Sequence, residues 1–286
     1  SKIIPDSVPT TGRWILKYNG EVSSSVFTNL TEAVSKIGST VVTLVVSRTE
    51  TLTANVTIPS TMNLKIIKGG SIAGPFTLTM SGLFLSDEQQ VISANTGIVF
   101  ASTSITTVQS RWFTSFAKAV TACSSYELLL EHSAFASIAD DLTVNANVTL
   151  KITNVSAQLS VDSGKTLTIN GPFIAPRQFV FTGVGTTKLS SDSCEFICPE
   201  WFGADVQSSN NKPYFQSALT CATNSAGYSV GKVKVASGTF TFTSALTLPV
   251  NVILEGVNPD LSILKHNPST PFTNLIQASA FGEYHI

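Results

Sequence analysis

The chain has 286 residues, 43% of them hydrophobic and only 12% charged, with a formal net charge of −1, whereas an average soluble protein is about 25% charged. No Lys/Arg run forms the basic stripe that phosphate-backbone binding needs, which excludes sequence-independent nucleic-acid binding. No apolar run approaches the roughly 20 residues that cross a bilayer, so membrane insertion is not expected; the N-terminal SKIIPDSVP has no apolar stretch of the secretory type.

In chain order, residues 1–26 carry Pro5, Pro9, Gly12 and Gly20 and read as an extended lead-in. A helix is predicted over about 28–38, with Asn29 and Glu32 at capping-box spacing. The pattern then changes to period two, predicting short strands at Val41–Val46, Val56–Ile58, Leu64–Ile67 and Phe76–Met80, broken by Pro59, Gly69, Gly70, Gly74 and Gly82. The order recurs with a helix near 113–124 and strands at Glu127–Leu130, Val148–Ile152, Leu167–Ile169 and Phe179–Phe181. It recurs again with a helix near 213–223 and strands at Lys232–Val235, Thr239–Phe242, Leu246–Leu248 and Val252–Leu254.

The recurrence is a true repeat. LTANVTIPSTMNLKII, IADDLTVNANVTLKIT and FTSALTLPVNVILEGV superpose without gaps at offsets of 86 and 104 residues, bringing Ile58 onto Val144 and Leu248, and Leu64 onto Leu150 and Leu254. Phe27, Leu30, Val34 and Ile37 form an apolar helical stripe that Phe113, Phe116, Val120 and Cys123 reproduce. Tyr214 to Ala222 keeps such a stripe in looser register. Trp14, Trp112 and Trp201 each precede one of these segments. The expected organisation is the lead-in 1–26 and three helix-plus-β units, 27–112, 113–200 and 201–286, the last the start of a longer stack. Hairpin turns are missing: Ile169-Asn170-Gly171-Pro172 comes near one, but Pro172 would remove an N–H that a returning strand needs. Strands joined by bends imply an all-β chain wound as a parallel coil.

Repeated positions serve the scaffold, so chemistry is sought where one copy departs. The clearest departure is Asp140-Asp141, opposite Ala54-Asn55 and Ser244-Ala245. Two carboxylates can act as acid and base on a glycoside, which makes Asp140 and Asp141 the catalytic candidates, although neighbours on a strand face opposite ways and a solvated turn is the plainer reading. Trp112 and Trp201 are the carbohydrate-stacking candidates, against a packing role at the helix junction. Arg177, Lys265, His266, His132 and His285 have no fixed partner in the sequence. Ser163-Gly164-Lys165-Thr166 is not a phosphate loop, since it runs into a strand. Cys123 and Cys221 read as small buried residues; Cys194 and Cys198 lack the second ligand pair of a zinc site. Neither a cofactor nor a metal is expected.

GKTLTINGPF (164–173), PEWFGA (199–204) and GKVKVASGTFTFTSALTLPVNVILEGV (231–257) together resemble the opening of right-handed parallel β-helix proteins of the pectate-lyase-like superfamily, most of all bacteriophage tailspikes. The resemblance implies a right-handed parallel β-helix with short capping helices, in which a Gly-Ala turn leads into a helix and a Ser-Gly-Thr unit starts the coil. The family's acidic residues after the Gly-Ala turn are reduced here to Asp205.

The expectation is therefore a tailspike or tail-fibre segment: a structural adhesin, homotrimeric, on a virion tail or otherwise extracellular. It would present a surface to bacterial polysaccharide, contact other tail proteins and form the N-terminal part of a longer protein. The alternatives are a polysaccharide lyase or glycoside hydrolase of the same superfamily, and a solenoid without ligand.

Overall fold

A computed structural model describes residues 2–5, 14–17, 20–87, 90–93, 95–101, 105–223, 231–267 and 274–278. His285 lies outside them, as do Pro9 and Gly12. Twenty-seven short strands and three α-helices are found among the described residues, so the chain is strand-rich, with parallel pairing in many of its sheets and an antiparallel pair at Lys2–Pro5/Trp14–Lys17. None of the described helices is long and apolar enough to cross a membrane. The chain divides into two compact units, Ser1–Leu128 and Leu129–Ile286.

Between Glu21 and Phe100, paired strands lie 20 to 22 residues apart: Val42 pairs with Met62, Thr49 with Ser71, Val56 with Leu78. Successive strands thus visit three sheets in turn before returning to the first. Alternation buries every second residue of Val42–Val46 and Met62–Ile66, and the register stacks like on like. Leu44, Leu64 and Phe84 form one inward column, Ile58, Met80 and Phe100 another. The columns meet where Phe84 and Phe100 pack edge to face at 5.6 Å.

The second unit follows the same plan with returns of 20 to 25 residues in its first turns, as Leu142 pairs with Leu167 and Thr166 with Thr186. Strands Val56–Ile58, Leu142–Val144 and Leu246–Leu248 fall at the two offsets that superpose the sequence tracts, and the aligned Ile58, Val144, Leu248, Leu64, Leu150 and Leu254 are all buried. The segment 169–172 makes no hairpin: the Pro172 carbonyl accepts from Leu150 N, and Phe173–Ile174 continues parallel to Val148–Ile152. Gly171 and its counterpart Gly82 are needed by close approach, because a Cβ at either would fall on the carbonyl oxygen of Val148 or Met62.

Helices α1 (Leu30–Ile37), α2 (Phe116–Cys123) and α3 (Lys212–Cys221) carry the stripes read in the sequence. Phe113, Phe116, Val120 and Cys123 are all buried; of the first copy's stripe Leu30 and Ile37 are buried, Phe27 and Val34 are half-buried, and Ala33 is buried beside them. Asn29 caps α1 by accepting from Glu32 N at 2.9 Å, but the Glu32 carboxylate reaches Thr28 N at 2.8 Å, one residue beyond the reciprocal partner that the spacing implied. That contact holds the Glu32 carboxyl below its usual range.

Trp14 is a correction. It lies in a strand paired antiparallel with Lys2–Pro5, while the short 3-10 turn that Trp112 and Trp201 occupy is filled in the first copy by Ser24–Val26. Val26, not a tryptophan, therefore stands at the equivalent position. The Trp14 side chain is outside what is described.

Candidate functional site

Asp140 and Asp141 lie in an exposed bend between Phe135–Ile138 and Leu142–Val144. Asp140 meets Lys165 Nζ at 3.3 Å, and Asp141 accepts from Thr166 N at 2.8 Å. In the first copy Asn55 accepts from Thr77 N at 2.9 Å, so Asp141 performs the scaffold task of its aligned asparagine: satisfying the first N–H of the next strand. At Asp141 the departure from the first copy is one in charge alone.

Trp112 and Trp201 are each 4% exposed. Their indole N–H groups donate to the carbonyls of Ser86 and Pro176, both at 3.0 Å, and their rings meet Phe84 and Phe173 edge to face, both at 5.0 Å. With ring and N–H engaged inside, they act as pins between the 3-10 turn and the coil, and offer no face to a sugar.

The copies diverge next at the third helix. Three residues separate the 3-10 turn from α1 and from α2, but residues 203–211 intervene before α3. Gly203, at φ +105°, turns the chain. Asn211, fully buried, seals the loop by accepting from Asp205 N at 2.9 Å and donating to Asp205 O at 3.0 Å. Asp205, the one acidic residue of that turn, accepts from Gln207 N at 2.7 Å. Gly238 of the Ser-Gly-Thr turn, at φ +137°, leaves room for Val206 from this loop. At its far side α3 is held by Gln216, whose amide both donates to Thr247 O and accepts from Thr247 N.

A groove of about 580 Å³ lies beside α3 against strands Phe181–Gly183 and Thr186–Leu189. Phe179, 40% exposed, and the partly exposed Tyr214 converge over Gly203, where a Cβ would sit 3.2 Å from Phe179 Cε2 and 3.1 Å from Tyr214 Cε1. Phe202 continues this wall and packs on Phe181 at 5.4 Å. Thr182, Thr186, Ser217 and Thr220 add hydroxyls, and Lys212 is the charged residue among the described lining. Aromatic faces beside hydroxyl donors and acceptors, with little charge, suit the CH faces and hydroxyls of a neutral sugar. Tyr214 could have been found from the sequence: its helix is the one whose stripe falls out of register.

The remaining chemistry-bearing groups are structural. Burial pushes the thiols of Cys123, Cys194 and Cys198 up to about 12 and raises that of Cys221 as well. His132, 2% exposed, replaces the first copy's Val46 in the core; burial lowers its pKa, and Nε2 lies 3.4 Å from the Gln158 carbonyl. Lys265 and His266 end the exposed strand Ser262–His266. Among the described residues no three His, Cys, Asp or Glu side chains cluster closely enough to share a metal ion. No family model, curated protein or solved structure matches this chain.

Proposed function

We propose that both units are sections of right-handed parallel β-helix, and that the chain is a tailspike-like structural adhesin segment that holds bacterial surface polysaccharide in the groove beside α3. The parallel returns through three sheets in turn support the coil, as does the tailspike-like run from Gly164 to Val257. The observation that carries the functional reading is the convergence of Phe179 and Tyr214 over Gly203, where the longer link 203–211 leads into α3. A homotrimer on a virion tail, or another extracellular setting, belongs to the same proposal. A glycoside hydrolase would set two carboxylates against its substrate; the described lining of this groove has none, which favours binding over hydrolysis.

The test is retention of the intact chain on immobilised capsular and lipopolysaccharide glycans. Retention on at least one neutral glycan is expected, with Tyr214→Ala weakening it about tenfold, equivalent to about 1.4 kcal/mol. A blank set, or retention unchanged in both Tyr214→Ala and Phe179→Ala, contradicts the reading.

A further inference from the structure

A second groove, in the first unit, has its own internal control. It measures about 660 Å³ and lies beside Phe84 and Trp112. The second unit has the equivalent groove, about 440 Å³, beside Phe173 and Trp201. Both tryptophan–phenylalanine pairs are 28 residues apart, so positions correspond at an offset of 89 and Arg111 falls opposite Glu200. The sign of the charge is reversed.

In the second unit that charge is neutralised internally. Arg177 Nη1 reaches both Glu200 oxygens at 3.1 Å and the Lys234 carbonyl at 3.2 Å. Phe196 fills the space, with the Arg177 and Lys234 cations 5.8 and 5.1 Å from its ring centre. In the first unit the Arg111 Nε is buried with no hydrogen-bond partner, and a buried donor left unmatched is destabilising, more so when charged. Lys68, exposed on the same groove, makes no ion pair among the described residues; Lys65 is held by Glu21 at 3.1 Å. Asp87 is the one carboxylate of the described lining and is also unpaired. Ile67, Leu83 and Leu85 expose 38%, 46% and 44% of their surface here, an apolar wall with cations beside it.

We propose that this groove binds a carboxylate-bearing sugar residue, with the carboxylate on Arg111 and Lys68 and the ring against Leu83 and Leu85. The inference rests on the glycan-binding reading for the kind of ligand, but on a different groove for its site. Arg111 lines the groove, and a carboxylate placed against its guanidinium makes a charge-assisted contact. Glu88 stands in the sequence where Arg177 stands in the second copy and lies outside the described residues.

Calorimetry of the intact chain with trigalacturonic acid at low salt tests this, with maltotriose and inorganic phosphate as comparators and thermal melting to confirm that each variant folds. The expected result is binding of trigalacturonate in preference to both comparators. Arg111→Met should weaken it at least tenfold and the exposed Lys68→Met about threefold, while Glu88→Gln leaves it unchanged or tightens it. Three results overturn the proposal: Arg111→Met binding as the parent does, phosphate binding as tightly as trigalacturonate, or binding that appears only after Glu88→Gln. Tyr214→Ala should have no effect here. Loss of neutral-glycan retention in Tyr214→Ala with no effect of Arg111→Met would sink this inference alone, whereas Arg111-dependent trigalacturonate binding with a blank neutral set would sink only the α3 groove.

Discussion

The grooves beside Trp112 and Trp201 are two answers to one geometry. Both copies keep the indole-to-carbonyl bond, the edge-to-face phenylalanine and the glycine that lets one turn lie on another. Outward, one presents Arg111 beside exposed aliphatic side chains, while the other closes on a Glu200–Arg177 pair capped by Phe196. A repeated coil fixes its inward columns by packing and leaves outward positions free, so ligand chemistry can change between copies without disturbing the core.

If the two copies share one scaffold, equivalent glycines should fail alike. Gly82→Ala and Gly171→Ala are each expected to cost about 3 kcal/mol, since each Cβ meets backbone that cannot move aside cheaply. Urea unfolding would show it, and a cost at only one site would break the equivalence.

The next effect should be confined to the first copy. Glu50, 2% exposed, accepts from Arg48 Nε at 2.8 Å and Ser24 Oγ at 2.7 Å, whereas the aligned residue of the second copy is Ala136. Arg48→Met should cost about 2 kcal/mol by leaving a buried carboxylate short of a donor. Adding Glu50→Ala should restore most of it, and a double variant as unstable as the single one would show that the pair is not the cause.

The smallest effect belongs to the second copy. Its folded-state pKa being depressed, His132 is neutral when buried and takes up a proton more readily once unfolded. Stability from this group is complete above the unfolded value near 6.5 and is lost as pH falls from there towards the lower folded value. His132→Val, which copies Val46, should flatten that acid limb in a melting-temperature profile. An unchanged profile would assign it to other groups.

Much of the scaffold was legible because its signals are local or repeated. Period-two burial placed Val56–Ile58, Val148–Ile152 and Leu246–Leu248, and the stripe at Phe113, Phe116, Val120 and Cys123 marked α2. Thr49–Thr51 and Ser71–Ala73 were missed because each has a single buried side chain and hydroxyls around it, which reads as loop. Trp14 misled because a shared residue type was weighed above spacing. The sites were less legible. The task of Asp141 depends on a partner 25 residues distant and the reading of Arg111 on a missing one, and no sequence period states whether a charge is matched. Tyr214 was visible only as a defect in a pattern.

The most direct measurement of the central claim is calorimetry of a neutral glycan retained by the chain, run on the parent, Tyr214→Ala and Arg111→Met. Affinity about tenfold weaker in Tyr214→Ala and unchanged in Arg111→Met is the predicted result, placing neutral sugar beside α3 and nowhere near Trp112. Parent-like affinity in Tyr214→Ala would contradict it.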